Sequence, residues 1–153
     1  MSNSNPSFDI NSILDGTLDD LADMPEFKPF PAGTHRCQIH FEQKVINKFP
    51  GMEITLKGLE TLELPSGSDA APITPGQETS IFYFFDHDQA IVAELGQGKF
   101  KEIMKILADH FGPKSNRELI AEMQDGEVIV VTDLRKGKQP GQVYTNLVTL
   151  QVA

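Results

Sequence analysis

Few residues of this chain have types and spacing suited to covalent chemistry. Cys37 is the single cysteine. It falls on the apolar side of an alternating stretch, which argues for packing rather than nucleophilic attack. No Ser or Cys stands in a nucleophile motif. Asp86-His87-Asp88 has metal-ligand residue types, but adjacent side chains at a strand end diverge. Gly96-Gln97-Gly98-Lys99 resembles part of a phosphate loop without its spacing or its Lys-Ser/Thr pair, and reads as a turn opening a helix. The expectation is a protein that is not an enzyme and uses neither metal nor cofactor. What remains is stacking and charge. Ile81, Phe82, Tyr83, Phe84 and Phe85 form an unbroken apolar and aromatic run within Thr79–Asp86, and Arg135, Lys136 and Lys138 crowd one loop.

These two features suit a single-stranded nucleic acid, which needs rings for its bases and cations along its backbone. The aromatic run is strand-length, so its side chains alternate between faces. Tyr83 and Phe85 share one face, and Phe82 and Phe84 the other. The Tyr83 row is the one expected outward, because a phenol tolerates water on one side. Arg36 and His40 lie on the polar side of one strand, Lys57 on that of another, and Tyr144 directly follows the basic loop. The expected contact set is therefore Arg36, His40, Lys57, Tyr83, Phe85, Arg135, Lys136, Lys138 and Tyr144. Lys99, Lys101 and Lys105 form a further basic cluster.

The elements that must position these residues follow from periodicity. Thr34–Ile46 alternates, with Cys37, Ile39 and Phe41 against Arg36, Gln38, His40 and Glu42, as a half-buried antiparallel strand does. After a turn at Asn47–Gly51, Met52–Leu64 alternates likewise, and Gly58 marks a bulge or bend. Pro65–Glu78 is a loop. The aromatic strand follows. Phe100, Ile103, Met104, Leu107 and Phe111 have helical spacing, ended by Gly112-Pro113. A second helix is expected over Ser115–Gln124. Glu127–Leu134 and Gln142–Val152 read as two strands joined by the basic hairpin loop. Five strands with a helical segment between the third and fourth is the element order of an OB-fold, a small Greek-key barrel. The expected fold is thus mainly β with helices.

The chain has 153 residues and a net charge of −9. That charge is unevenly placed. Residues 1–27 carry Asp9, Asp15, Asp19, Asp20, Asp23 and Glu26 with no Lys or Arg, and the remainder is near neutral. The expected division is an acidic amphipathic arm over 1–27 and an OB-fold-like domain over 28–153. In the arm, Phe8, Ile10, Ile13, Leu14, Leu18, Leu21 and Met24 recur at helical spacings around Gly16. The arm would pack on its own domain, dock a partner, or compete with nucleic acid for a basic groove. No apolar run approaches the length of a membrane span, and MSNSNPSFDI lacks the regions of a secretory signal. A cytoplasmic location is expected. Oligomeric state is not set by the sequence, although an exposed barrel edge would allow a homodimer.

Three stretches resemble the OB-fold single-stranded DNA-binding proteins encoded by tailed bacteriophages: FKPFPAGTHRCQIHFEQ, GQGKFKEIMKILADHFG and VYTNLVTLQV. The acidic LDDLADMPEF ahead of them adds to the likeness, which covers roughly residues 25–153. Membership would imply sequence-independent binding of single strands during phage replication, recombination or repair in the bacterial host. Contacts to replication or recombination proteins through residues 8–27 are a further expectation, drawn from the arm itself. Many such proteins carry their acidic partner-recruiting tail at the C-terminus, whereas this chain ends in the neutral VTLQVA. The alternative is a protein-interaction module, a phage-encoded inhibitor or assembly component, working through the arm.

Overall fold

The computed structural model describes residues 29–137 and 140–153. The acidic arm and Lys138 lie outside the described residues. Among the described residues, five strands and two helices follow in the order β1 (Gly33–Ile46), β2 (Phe49–Glu63), β3 (Glu78–Phe84), α1 (Ala90–Phe111), α2 (Asn116–Met123), β4 (Glu127–Lys136) and β5 (Val143–Val152). The strands form one antiparallel sheet ordered β3-β2-β1-β4-β5.

Alternation in the sequence sets which face is buried. Cys37, Ile39 and Phe41 of β1 lie over Met52, Ile54 and Leu56 of β2 and Val128 and Val130 of β4, and all are buried. α1 covers this face with Ile103, Met104 and Leu107, and α2 with Leu119 and Met123. Burying each such side chain fully contributes about 1.5–3 kcal/mol. Burial also pushes the Cys37 thiol up to about 12, so the side chain is a packed apolar group.

The β1–β2 turn is tighter than Asn47–Gly51. Asn47 (φ 49°) and Lys48 (φ 69°) are both left-handed, and Ile46 pairs Phe49. A two-residue turn with positive φ at both centres matches the twist of its strands, so β2 starts at Phe49. Gly58 stands beside a register shift, with Arg36 opposite Glu60 but Cys37 opposite Gly58. A Cβ there would lie 2.6 Å from Ile73 Cδ1, so the loop after β2 closes down because this position has no side chain. α1 begins nine residues before Lys99, running through Gly96 and Gly98. Two glycines cost a helix about 2 kcal/mol relative to alanine. The close approach described below explains why the first is there.

The sheet is not closed. Its edge strands do meet at one point, where Thr79 of β3 donates to Thr145 of β5 (Oγ1 to Oγ1, 3.0 Å). The segment before β1 seals this end. The Phe30 amide donates to Thr145 Oγ1 at 2.7 Å, and its ring is fully buried edge-on to His35. Pro31 O accepts from His35 Nε2 (2.8 Å) and Thr132 Oγ1 (2.9 Å). His35 Nδ1 then faces Thr61 Oγ1 at 2.9 Å, and that oxygen also accepts from the Ile73 amide. This chain is satisfied by a neutral imidazole with its proton on Nε2, and desolvation lowers the His35 pKa below 6.5.

A lowered folded-state pKa means that the unfolded chain takes up its proton first. The His35 contribution to stability is complete above the ordinary pKa of 6.5, declines as pH falls below it, and is lost once the folded pKa is passed. The urea midpoint is expected to drop between pH 7.5 and 5.5, and His35→Gln should flatten that drop. Equal slopes in the two proteins would disprove it.

Candidate nucleic-acid interface

The face of the sheet away from the helices carries Arg36, Gln38 and His40 from β1, Glu53, Thr55 and Lys57 from β2, and Ser80, Phe82 and Phe84 from β3. Register places Lys57 opposite Glu78 and Gln38, Thr55 opposite His40 and Ser80, and Glu53 opposite Phe82. Thr55 and Ser80 hydroxyls lie 3.1 Å apart.

At the β1–β2 hairpin end this face is aromatic. Phe82 meets Phe84 edge-on with centroids 4.7 Å apart, and Phe84 meets His87 at 5.0 Å. His87 lies against Phe49 at 4.8 Å, and Lys48 Nζ sits 6.0 Å from the Phe49 centroid. All four rings are partly exposed. His87 Nδ1 accepts from the Gln89 amide, which orients its ring at the turn into α1.

Two glycines make this row possible. Gly51 is the register partner of Phe84, and a Cβ on it would strike the Phe82 ring and Tyr83 O. Gly96 of α1 lies against the Phe84 backbone, where a Cβ would strike Phe84 O and N. Gly96→Ala gains about 1 kcal/mol of helix propensity. Overpacking against rigid backbone costs about 1–3 kcal/mol or more. The close backbone contact puts the cost at the upper end, so the variant is expected to be less stable by about 2 kcal/mol. A urea midpoint equal to or above that of the parent would show that the contact is not tight.

The Tyr83 row does not face outward. Tyr83 pairs Met52, and both side chains point to the helix side of the sheet. Burial pushes its phenol up to about 12, with Glu102 nearby adding to the shift. Phe85 packs its ring against Phe100 at 5.0 Å. The reason is amphipathic: α1 presents Phe100, Ile103 and Leu107, and the apolar row beneath must match them. Phe82 and Phe84 are left for the open face, aided by the missing side chain at Gly51.

The other expected residues divide into two groups. Arg36, His40 and Lys57 share the open face as expected. Arg36 is held by Glu60 (2.5 Å) and Glu127 (3.6 Å), and His40 Nδ1 lies 2.8 Å from Asp125 Oδ1. Lys57 borders a depression of about 350 Å³ with Gln38, His40, Thr55, Glu78 and Asp125. Arg135, Lys136 and Tyr144 sit on the exposed β4–β5 hairpin, where Tyr144 pairs Arg135. That hairpin extends past the start of β1, whereas the aromatic rings lie at its far end. Lys48, Phe49 and His87 were not singled out as contacts. Their signal was faint: a ring and a cation at a hairpin tip, and a histidine in a motif that suggested metal. Among the described residues no group of three or more His, Cys, Asp and Glu is placed to hold a metal ion.

No protein-family model matches the chain, and no curated protein matches it significantly.

Proposed function

We propose that the protein binds single-stranded DNA without sequence preference, laying bases on Phe49, Phe82, Phe84 and His87. The observation that carries this is the ring cluster itself: four partly exposed aromatic side chains gathered on the open face of β2 and β3 and at the turn into α1. Aromatic platforms contribute about 1–3 kcal/mol per stacked base and accept any base. The strand order β3-β2-β1-β4-β5, with β3 and β5 meeting at Thr79 and Thr145, supports reading the sheet as an OB-like Greek-key barrel left open between its third and fifth strands. Such folds bind oligonucleotides on strands two and three, flanked by the β1–β2 and β4–β5 loops. Here the β1–β2 hairpin carries Lys44 and Lys48, and the β4–β5 stretch of the sequence carries Arg135, Lys136 and Lys138. A role in phage replication, recombination or repair extends the same reading.

Carboxylates limit the electrostatic share. Glu53 holds Lys44 at 2.8 Å, and Glu60 and Glu127 hold Arg36. Stacking therefore carries most of the affinity. If about three phosphates are neutralised, log affinity falls against log salt with a slope of about −2. Fluorescence anisotropy of labelled oligo-dT and a mixed-sequence oligomer, each at several salt concentrations, tests this. Equal binding of both with a shallow slope is expected. Absence of binding at low salt would remove the proposal.

A second reading, an interaction module or homodimer, is favoured by the exposed apolar side chains of the β4–β5 hairpin: Leu134, Val143, Tyr144 and Val148. Sedimentation at increasing concentration separates it. A dimer abolished by Val148→Glu would support it, and a monomer throughout would exclude self-pairing.

A further inference from the structure

The helix side of the sheet holds a concavity unrelated to the ring cluster on the opposite face. Its floor is Phe41 and Met52, both nearly buried, and its walls are Phe85, Phe100 and Ile120. Its volume is about 380 Å³, and a neighbouring depression of about 530 Å³ shares Phe85 and Phe100. Among the described residues, the charged ones lining the two are Arg117 and Lys101, and none is a carboxylate. Neither cation forms an ion pair among the described residues. An apolar trough whose described charged residues are both cations is unusual on a chain with net charge −9.

We propose that the chain's own acidic segment, residues 8–21, docks in this groove. Its apolar side chains would rest on Phe41, Met52 and Phe85, and its carboxylates would face Arg117 and Lys101. Charge selects it: residues 1–27 contain six carboxylates and no Lys or Arg. Pattern selects it as well, since Phe8, Ile10, Ile13, Leu14, Leu18 and Leu21 recur at three- and four-residue spacings, which gathers them on one side of a helix. The tether is long enough. Pro29 O accepts from Gln77 and the Phe30 amide donates to Thr145, so the arm leaves the domain where β3 begins. Phe85 is six residues further than Thr79, about 20 Å along a strand. Eight extended residues span about 27 Å, so Leu21 and everything before it can reach the groove. The proposal is independent of DNA binding, because the ring cluster lies on the other face.

The full chain tests it. Cys37 is fully buried, so a spin label attached through a new thiol goes to one position only. With the label at Asn116→Cys, on the groove rim, amide signals of residues 8–21 should lose more than half their intensity. With the label at Ser80→Cys, on the open face, residues 8–16 should keep it, since only the stretch nearer Pro29 stays close to the start of β3 wherever the arm lies. Arg117→Glu with Lys101→Glu should restore the lost intensity. A mixture of spin-labelled and isotope-labelled chains should show no loss. Full intensity beside the Asn116 label would overturn the proposal. So would a loss at residues 8–16 arising from the Ser80 label, which would put the arm on the open face. Loss in the mixed sample would also overturn it, by making a second copy the occupant.

Discussion

Phe30→Ala is expected to destabilise the protein by about 3–5 kcal/mol, the range for removing a buried aromatic side chain. Phe30 precedes the first strand, where a sequence reading finds only a proline-rich approach. Yet its ring is fully buried. It packs edge-on to His35 at 5.4 Å and lies 3.4 Å from where a Cβ on Gly58 would be. Its amide donates to the Thr145 hydroxyl that also receives Thr79. Alanine keeps that amide, so the loss isolates packing: the transfer energy of the ring plus a cavity beneath the point where β3 and β5 meet. Small domains have only about 5–15 kcal/mol of stability in all, so this variant should sit near its unfolding threshold. Phe30→Leu, which refills most of the volume, should cost appreciably less. Urea denaturation of the three proteins measures both differences. A loss below about 1 kcal/mol for alanine would mean that the ring is not wedged into the core.

Much of this architecture was legible because alternation is a local signal. Cys37, Ile39 and Phe41 against Gln38 and His40 identify a strand and its buried side without reference to anything distant. The helix of Phe100, Ile103, Met104 and Leu107 is equally local. Alternation fails at residues 81–85, where every side chain is apolar or aromatic and both faces read alike. What decides that strand is the pairing of Phe84 with Gly51, a long-range contact that no local window contains. The same limit explains the start of α1. Gly96 and Gly98 look like a helix break until the Phe84 backbone is found against Gly96. It also explains the muted charge of the open face. Arg36 and His40 were legible as outward, but Glu60, Glu127 and Asp125, which hold them, come from other elements. A basic trough inferred from cations alone becomes an aromatic platform with paired charges around it.

The functional reading therefore rests on the rings, and their removal should have the largest effect on binding. Phe82→Ala with Phe84→Ala is expected to weaken oligo-dT affinity by about 2–6 kcal/mol, two stacked bases at about 1–3 kcal/mol each. That is roughly 30- to 20,000-fold. The fold should tolerate the change, because both side chains lie outside the core and the lost edge contact is worth only about 0.5–1.5 kcal/mol. Arg36→Ala should weaken binding little, since its guanidinium is already engaged by Glu60 and Glu127. Lys57→Ala should make the salt slope shallower by about 0.7 if that ammonium meets a phosphate. Tyr83→Phe supplies the sharpest control. It keeps the ring and deletes a hydroxyl on the helix side, so affinity should match the parent. Anisotropy titrations of one labelled oligomer against all five proteins, with urea midpoints measured in parallel, separate lost stacking from lost folding. If the double variant stays folded and binds like the parent, bases do not rest on this row. If Tyr83→Phe alone abolishes binding, the strand lies on the helix side instead.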